Sequence, residues 1–147
     1  MTSFTSVPTL IDTNVLVYRF DPRFPDKQRI AHDLLRDGIA SGDIALSHQT
    51  IVEFIAAVTR PFGDNRSLLD WPDATREAEE LLLQFDVLYP SQQVIRLALR
   101  GRATYQLSWF DAHMWAYAEH HGFERLLSED FQHGRTYGAV TVVNPFA

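Results

Sequence analysis

The chain has no cysteine. Disulfide frameworks, thiolate zinc sites and cysteine nucleophiles are therefore excluded. It has a single lysine, Lys27, so every other basic side chain is an arginine. Acids outnumber bases 19 to 13, a net charge of -6. A strongly cationic, non-specific nucleic-acid binder is thereby excluded. A nuclease is not, because carboxylates that hold metal ions draw in cations first. No stretch approaches the roughly 20 apolar residues of a membrane span. The opening Met1–Pro8 has neither a basic segment nor an apolar run for export, so the cytoplasm is the expected compartment. There is no internal repeat and no low-complexity segment. What the chain does have is 147 residues, 46% hydrophobic and 12% aromatic, enough for one packed core. A single domain over 1–147 is expected.

Short apolar runs alternate with helical patterns along the whole length. The strand candidates are Thr9–Ile11, Ile44–Leu46, Val87–Tyr89, Arg125–Ser128 and Val140–Val143. Helices are predicted over Asn14–Phe20, Asp26–Ile39, Thr50–Thr59, Asp73–Phe85, Gln92–Tyr105 and Trp109–His121. Ser91 and Ser108 are candidate caps, and Gly122 is a C-terminal stop. This alternation predicts an α/β fold with a central, mainly parallel, five-stranded sheet covered by helices on both faces. Such sheets place their sites beyond the carboxyl ends of the strands.

Four acids fall at that edge. Asp12 ends the first strand, Glu53 lies early in the helix after the second, Asp111 opens the helix before the fourth, and Asp130 follows the fourth. Four carboxylates brought together repel one another unless a cation compensates them, and hard oxygen ligands suit Mg2+ or Mn2+. Each acid also has a structural reading. Asp12 fits a helix cap, Thr50–Glu53 and Ser108–Asp111 have capping-box spacing, and Asp130 suits a turn. Glu53 interrupts the apolar run Ile51-Val52-Glu53-Phe54-Ile55, which also suits a wall for a partner helix. Their joint placement says more than any one of them.

The stretch Ile11-Asp12-Thr13-Asn14-Val15-Leu16-Val17-Tyr18 resembles the opening motif of PIN-domain ribonucleases. Ser108-Trp109-Phe110-Asp111-Ala112 and Leu126-Leu127-Ser128-Glu129-Asp130-Phe131 resemble the third and fourth motifs, and Glu53 fits the second. The length is similar to that of VapC toxins. The resemblance implies a PIN-like three-layer sandwich and a Mg2+- or Mn2+-dependent endoribonuclease with Asp12, Glu53, Asp111 and Asp130 as catalytic, metal-holding acids. It further implies a homodimer, an RNA substrate and a small inhibitory antitoxin. Glu129 adjoins Asp130 as a rival for the fourth position. Thr13, Asn14 and Ser128 are expected to orient the carboxylates by hydrogen bonds, although Asn14 equally suits a structural tie across the turn. Water attack, rather than attack by the ribose 2′-hydroxyl, predicts 5′-phosphate and 3′-hydroxyl ends.

The remaining polar residues point less sharply. His120 and His121 are adjacent at a helix end and suit its dipole. His113, two residues from Asp111, faces away from it, and His133, near Asp130, suits a surface loop. Arg96 and Arg100 share a helix face and are candidate RNA-phosphate contacts. Trp109 flanks Asp111 and is the tryptophan best placed to stack on a base. A receiver-type signalling domain would share the acidic edge but needs a late lysine, and none follows Lys27. A fold retained as an inactive binding domain is disfavoured by four intact acids. A metal-dependent DNA nuclease differs only in sugar choice.

Overall fold

The computed structural model describes residues 7–147. The reading of the first residues as free of an export signal falls largely outside the described residues. Strand β1 (Thr9–Ile11) is wholly buried and runs into helix α1 (Thr13–Tyr18). Helix α2 (Pro25–Ser41) follows, with Pro25 in its first turn and Gly42 closing it at φ +76°. Then come β2 (Ile44–Ser47), α3 (His48–Thr59), α4 (Trp71–Gln84), β3 (Asp86–Leu88), α5 (Gln92–Tyr105) and α6 (Trp109–His120). The chain ends with β4 (Arg125–Leu127), β5 (Thr136–Tyr137) and β6 (Val140–Val143). Ser91 and Ser108 cap α5 and α6 as expected.

The sheet order is β3-β2-β1-β4-β6-β5, parallel except for the β5–β6 pair. The expected sheet had five strands, and the structure corrects this to six. Two residues, Thr136 and Tyr137, are too short for any periodic signal, and they pair with Thr141 and Val140 only because the chain turns through Gly138 at φ +60°. The order also separates this fold from the receiver-like 2-1-3-4-5 arrangement. Neighbouring residues on each strand belong to different cores. Leu10, Ala45, Leu126 and Val142 pack toward α5 and α6. Ile11, Ile44, Leu46 and Leu127 pack toward the layer of α1 to α4. Burial on both faces explains why the strands read as unbroken apolar runs.

On the first of these faces, α5 and α6 meet closely at Gly101. A Cβ built there would lie 2.3 Å from Cζ3 of Trp115, whose indole N–H donates to the Tyr137 carbonyl at 2.9 Å. Trp115 therefore has little freedom to retreat. Gly101→Ala is expected to cost about 1–3 kcal/mol through overpacking. Thermal unfolding should show a fall of several degrees, and an unchanged Tm would contradict the close approach.

Connections from β1 to β2 and β3 run one way across the sheet, while β4 returns to the other side of β1. The carboxyl ends of β1 and β4 thus flank the point where the strand order reverses, which is where open α/β sheets bind ligands. No helix among the described residues is long and apolar enough to cross a membrane.

Candidate active site

Asp12 leaves β1 and caps α1, as its structural reading expects. One carboxylate oxygen accepts from the Thr13 N–H at 2.7 Å, and the other accepts from the Ser128 hydroxyl at 2.6 Å. Ser128 Oγ in turn accepts from the Asp130 N–H at 3.0 Å and from Asn14 Nδ2 at 3.3 Å. A hydroxyl has one hydrogen and two lone pairs, so all three are used. Asn14 Nδ2 also donates to Asp130 Oδ2 at 3.1 Å, and Asn14 Oδ1 accepts from the Glu129 N–H at 3.4 Å. The Asn14 side chain therefore ties α1 to the turn after β4. Asp111 stands in the first turn of α6, its N–H donating to Ser108 Oγ at 3.2 Å.

Each of Asp12, Asp111 and Asp130 offers a carboxylate oxygen, and these oxygens lie within 4.8 Å of one another. Asp12 is only 5% exposed. Burial pushes its pKa up to about 7. The Ser128 and Thr13 hydrogen bonds oppose that rise, and the Asp130 and Asp111 charges add to it. Burial likewise raises Asp111, with Asp130 and Glu53 adding to it against the Ser108 hydrogen bond. The charges acting on Asp12 and Asp111 are all carboxylates. Three hard oxygen donors with no built-in counter-charge fit a divalent cation.

Glu53 stands beside this trio rather than in it. It lies in the second turn of α3, not the first, because the helix begins at His48 and is capped by Ser47, whose Oγ accepts the Thr50 N–H at 3.0 Å. The Thr50–Glu53 capping box is thus replaced by a Ser47–Thr50 cap. Glu53 Oε1 instead accepts from the Thr13 hydroxyl at 2.7 Å, and Oε2 from Gln49 Nε2 at 3.4 Å. Ile51 and Phe54 are buried in the core, so only Val52 of that apolar run, 53% exposed, faces outward. Glu129, the rival of Asp130, is engaged elsewhere. It accepts from the Tyr18 hydroxyl and pairs with Lys27 Nζ at 2.9 Å.

The PIN domain family model matches residues 9–139. The chain belongs to the PIN domain family. No curated protein matches it by sequence. Several solved structures share the PIN fold. One is a toxin–antitoxin complex from Klebsiella pneumoniae, 23% identical, with TM-score 0.69, covering 93% of this chain and 97% of that one. Another is FitAcB from Neisseria gonorrhoeae, 20% identical, with TM-score 0.66, covering 94% of this chain and 98% of that one. A third is Mycobacterium tuberculosis VapC20, described as a sarcin–ricin loop cleaving toxin, 16% identical, with TM-score 0.58, covering 83% of this chain and 91% of that one.

Two cavities open on this PIN site. One of about 500 Å³ is lined by Thr13, Asn14, Glu53 and Asp130 together with Arg23 and Arg60. Arg96 and Arg100 line neither cavity and are exposed on α5. Sequence reasoning missed Arg23 and Arg60 because their positions, in the turn between α1 and α2 and just after α3, carry no motif. Arg23 is anchored to Asp21 through two hydrogen bonds of 2.9 Å and lies over the Phe62 ring. The second cavity, about 350 Å³, lies on the other side of Glu53 and is lined by Gln49, Trp109, His113 and Tyr117 among others. His48 and His113 are therefore the histidines that line this cavity, whereas His133 is exposed and accepts the Asn144 N–H at 2.9 Å. The Tyr117 hydroxyl is buried and has no hydrogen-bond partner among the described residues. An unsatisfied buried hydroxyl costs about 1–3 kcal/mol.

Ser128→Ala is expected to lower catalytic turnover about 10–100-fold, as loss of a group that orients metal-holding carboxylates does. The measurement is a rate on a defined RNA. An unaltered rate would show that Asp12 and Asp130 keep their positions without the shared hydroxyl.

Proposed function

We propose that this PIN domain is a Mg2+- or Mn2+-dependent endoribonuclease, the toxin of a toxin–antitoxin pair. The observation that carries this reading is the meeting of Asp12, Asp111 and Asp130 within 4.8 Å under uncompensated negative charge. Their carboxylates would hold the ion, with Glu53 as the fourth acid of the catalytic set. A bound divalent ion supplies neutralisation of the scissile phosphate and a lowered pKa for the attacking water.

The chain's own groups do the rest. Ser128 and the Thr13 N–H hold the Asp12 carboxylate in one orientation, and Asn14 does so for Asp130. Glu53, anchored by Thr13 outside the trio, accepts the proton released by the water. Arg23 and Arg60 bind phosphates of the strand as it leaves the acids, and Arg96 and Arg100 extend that contact along α5. An arginine or lysine of an antitoxin, inserted among the acids, would pair with them and keep both cation and phosphate out. Several structures of this fold are toxin–antitoxin complexes, which supports such a partner. A homodimer acting in the cytoplasm completes the reading.

The test is cleavage of end-labelled RNA and of matched single-stranded DNA by the purified protein. RNA fragments with 5′-phosphate ends should form with Mg2+ or Mn2+, vanish with EDTA and return with excess cation. In cells, expression should slow growth and the adjacent small gene should relieve it. Cleavage that survives EDTA, or growth arrest that persists in an Asp12→Asn, Asp111→Asn double variant, overturns the proposal.

A further inference from the structure

We infer that the cavity between α3 and α6 is a nucleobase site that selects the RNA residue beside the cleaved phosphate. This inference rests on the ribonuclease reading and deepens it. Trp109, His113 and Tyr117 recur every four residues along α6, so they share one helix face, and all three line the cavity. Trp109, 38% exposed, stands at the mouth and stacks on His113 at an interplanar angle of 17°. Glu53 lines this cavity and the one that Asp130 lines alike, so an occupant here lies beside Glu53.

The polar groups fit the edge of a base. Gln49 Nε2 donates to the Phe110 carbonyl at 3.2 Å and to Glu53, which leaves Gln49 Oε1 as an acceptor for His113 Nδ1 at 2.6 Å. That assigns the imidazole hydrogen to Nδ1 and leaves Nε2 as an acceptor with no partner among the described residues. The Tyr117 hydroxyl, on a side chain 0% exposed, is the second unpartnered group. An aliphatic wedge from a protein would fill the volume and leave both groups unsatisfied. An unpaired nucleobase satisfies them with its donors and acceptors while its flat face meets Trp109, the usual mode of single-stranded RNA recognition.

The probe is each of the four ribonucleoside 5′-monophosphates, with ribose 5-phosphate as the base-free control, titrated in EDTA while tryptophan fluorescence is read. At least one nucleotide should quench saturably, ribose 5-phosphate should not, and Trp109→Phe should remove the signal. On a randomised RNA, cleavage should show a base preference at one position next to the cut. Tyr117→Phe should flatten that preference about fivefold, the worth of one hydrogen bond, without lowering the Tm of the free protein. Trp109→Ala should raise KM about tenfold, as loss of one base-stacking contact does. No quenching by any nucleotide, or a preference unmoved by both substitutions, overturns the inference. So does concentration-dependent shielding of Trp109 from a neutral quencher, which would assign this face to a second copy. If the native chain cleaves no RNA, the ribonuclease reading falls while the titration in EDTA still decides the cavity.

Discussion

Asp12→Asn is expected to abolish hydrolysis while leaving the metal-free protein as stable as before or more so. The loss of activity should exceed the roughly 100-fold reached by orienting groups, because this carboxylate belongs to the converging trio itself. The stability expectation comes from the electrostatics. At pH 8 the native chain holds a fully buried carboxylate near two others, with its pKa pushed up to about 7. Neutral asparagine removes that burden. It also loses one of the two acceptors that Asp12 offers, to Thr13 N–H and the Ser128 hydroxyl, at about 1–3 kcal/mol. The net change at pH 8 is expected between zero and a gain of about 8 °C in Tm. A clear fall in Tm would mean that capping α1 is the main task of Asp12. Retained cleavage would remove Asp12 from the chemistry.

The second large effect is a dependence of stability on pH that a divalent cation erases. Asp12 titrates near its ordinary 3.8 when unfolded and at about 7 when folded. Between those values the folded chain binds the additional proton. The stabilisation is therefore complete below about pH 4 and is lost as pH rises through 7. The shift is worth up to about 4 kcal/mol. His113 acts in the opposite sense: burial lowers its pKa, so its contribution weakens as pH falls below 6.5. The difference between native and Asp12→Asn proteins isolates the Asp12 share. Denaturant unfolding in EDTA from pH 4.5 to 8 should show the native protein weakening relative to the variant. Excess Mg2+ at pH 8 should restore the native protein and leave the variant nearly unmoved. Parallel pH profiles for the two proteins would contradict the assignment.

Much of this architecture is legible in the sequence because β1, β2, β4 and β6 are short, largely apolar runs ended by a polar residue. Asp12 after Ile11 and Ser128 after Leu127 mark the carboxyl edge of the sheet directly. The caps Ser91 and Ser108 are equally legible, since a serine three residues before a helical position leaves a local signature. The start of α3 is less so, because Ser47 and Thr50 both satisfy that signature and only the backbone decides between them. The second cavity is not legible at all. Gln49 and His113 are 64 residues apart, and nothing local to either foretells a hydrogen bond between them. Likewise, Lys27 reaches Glu129 across 102 residues, and nothing local to either foretells that pairing.

The Ser128 hydroxyl joins the first and last thirds of the chain, since its partner Asp12 lies 116 residues earlier. Strand β1 pairs with β4 in a fixed register, so the spacing of the acids is inherited from the sheet rather than from a loop. A ribosome must therefore release the chain through Asp130 before Asp12 can meet Asp111 and Asp130. Asp12 and Glu53 emerge well before the other two acids. The acidic cluster can therefore assemble only once β4 and the turn after it have been made, so a chain stopped before Asp130 lacks the cluster.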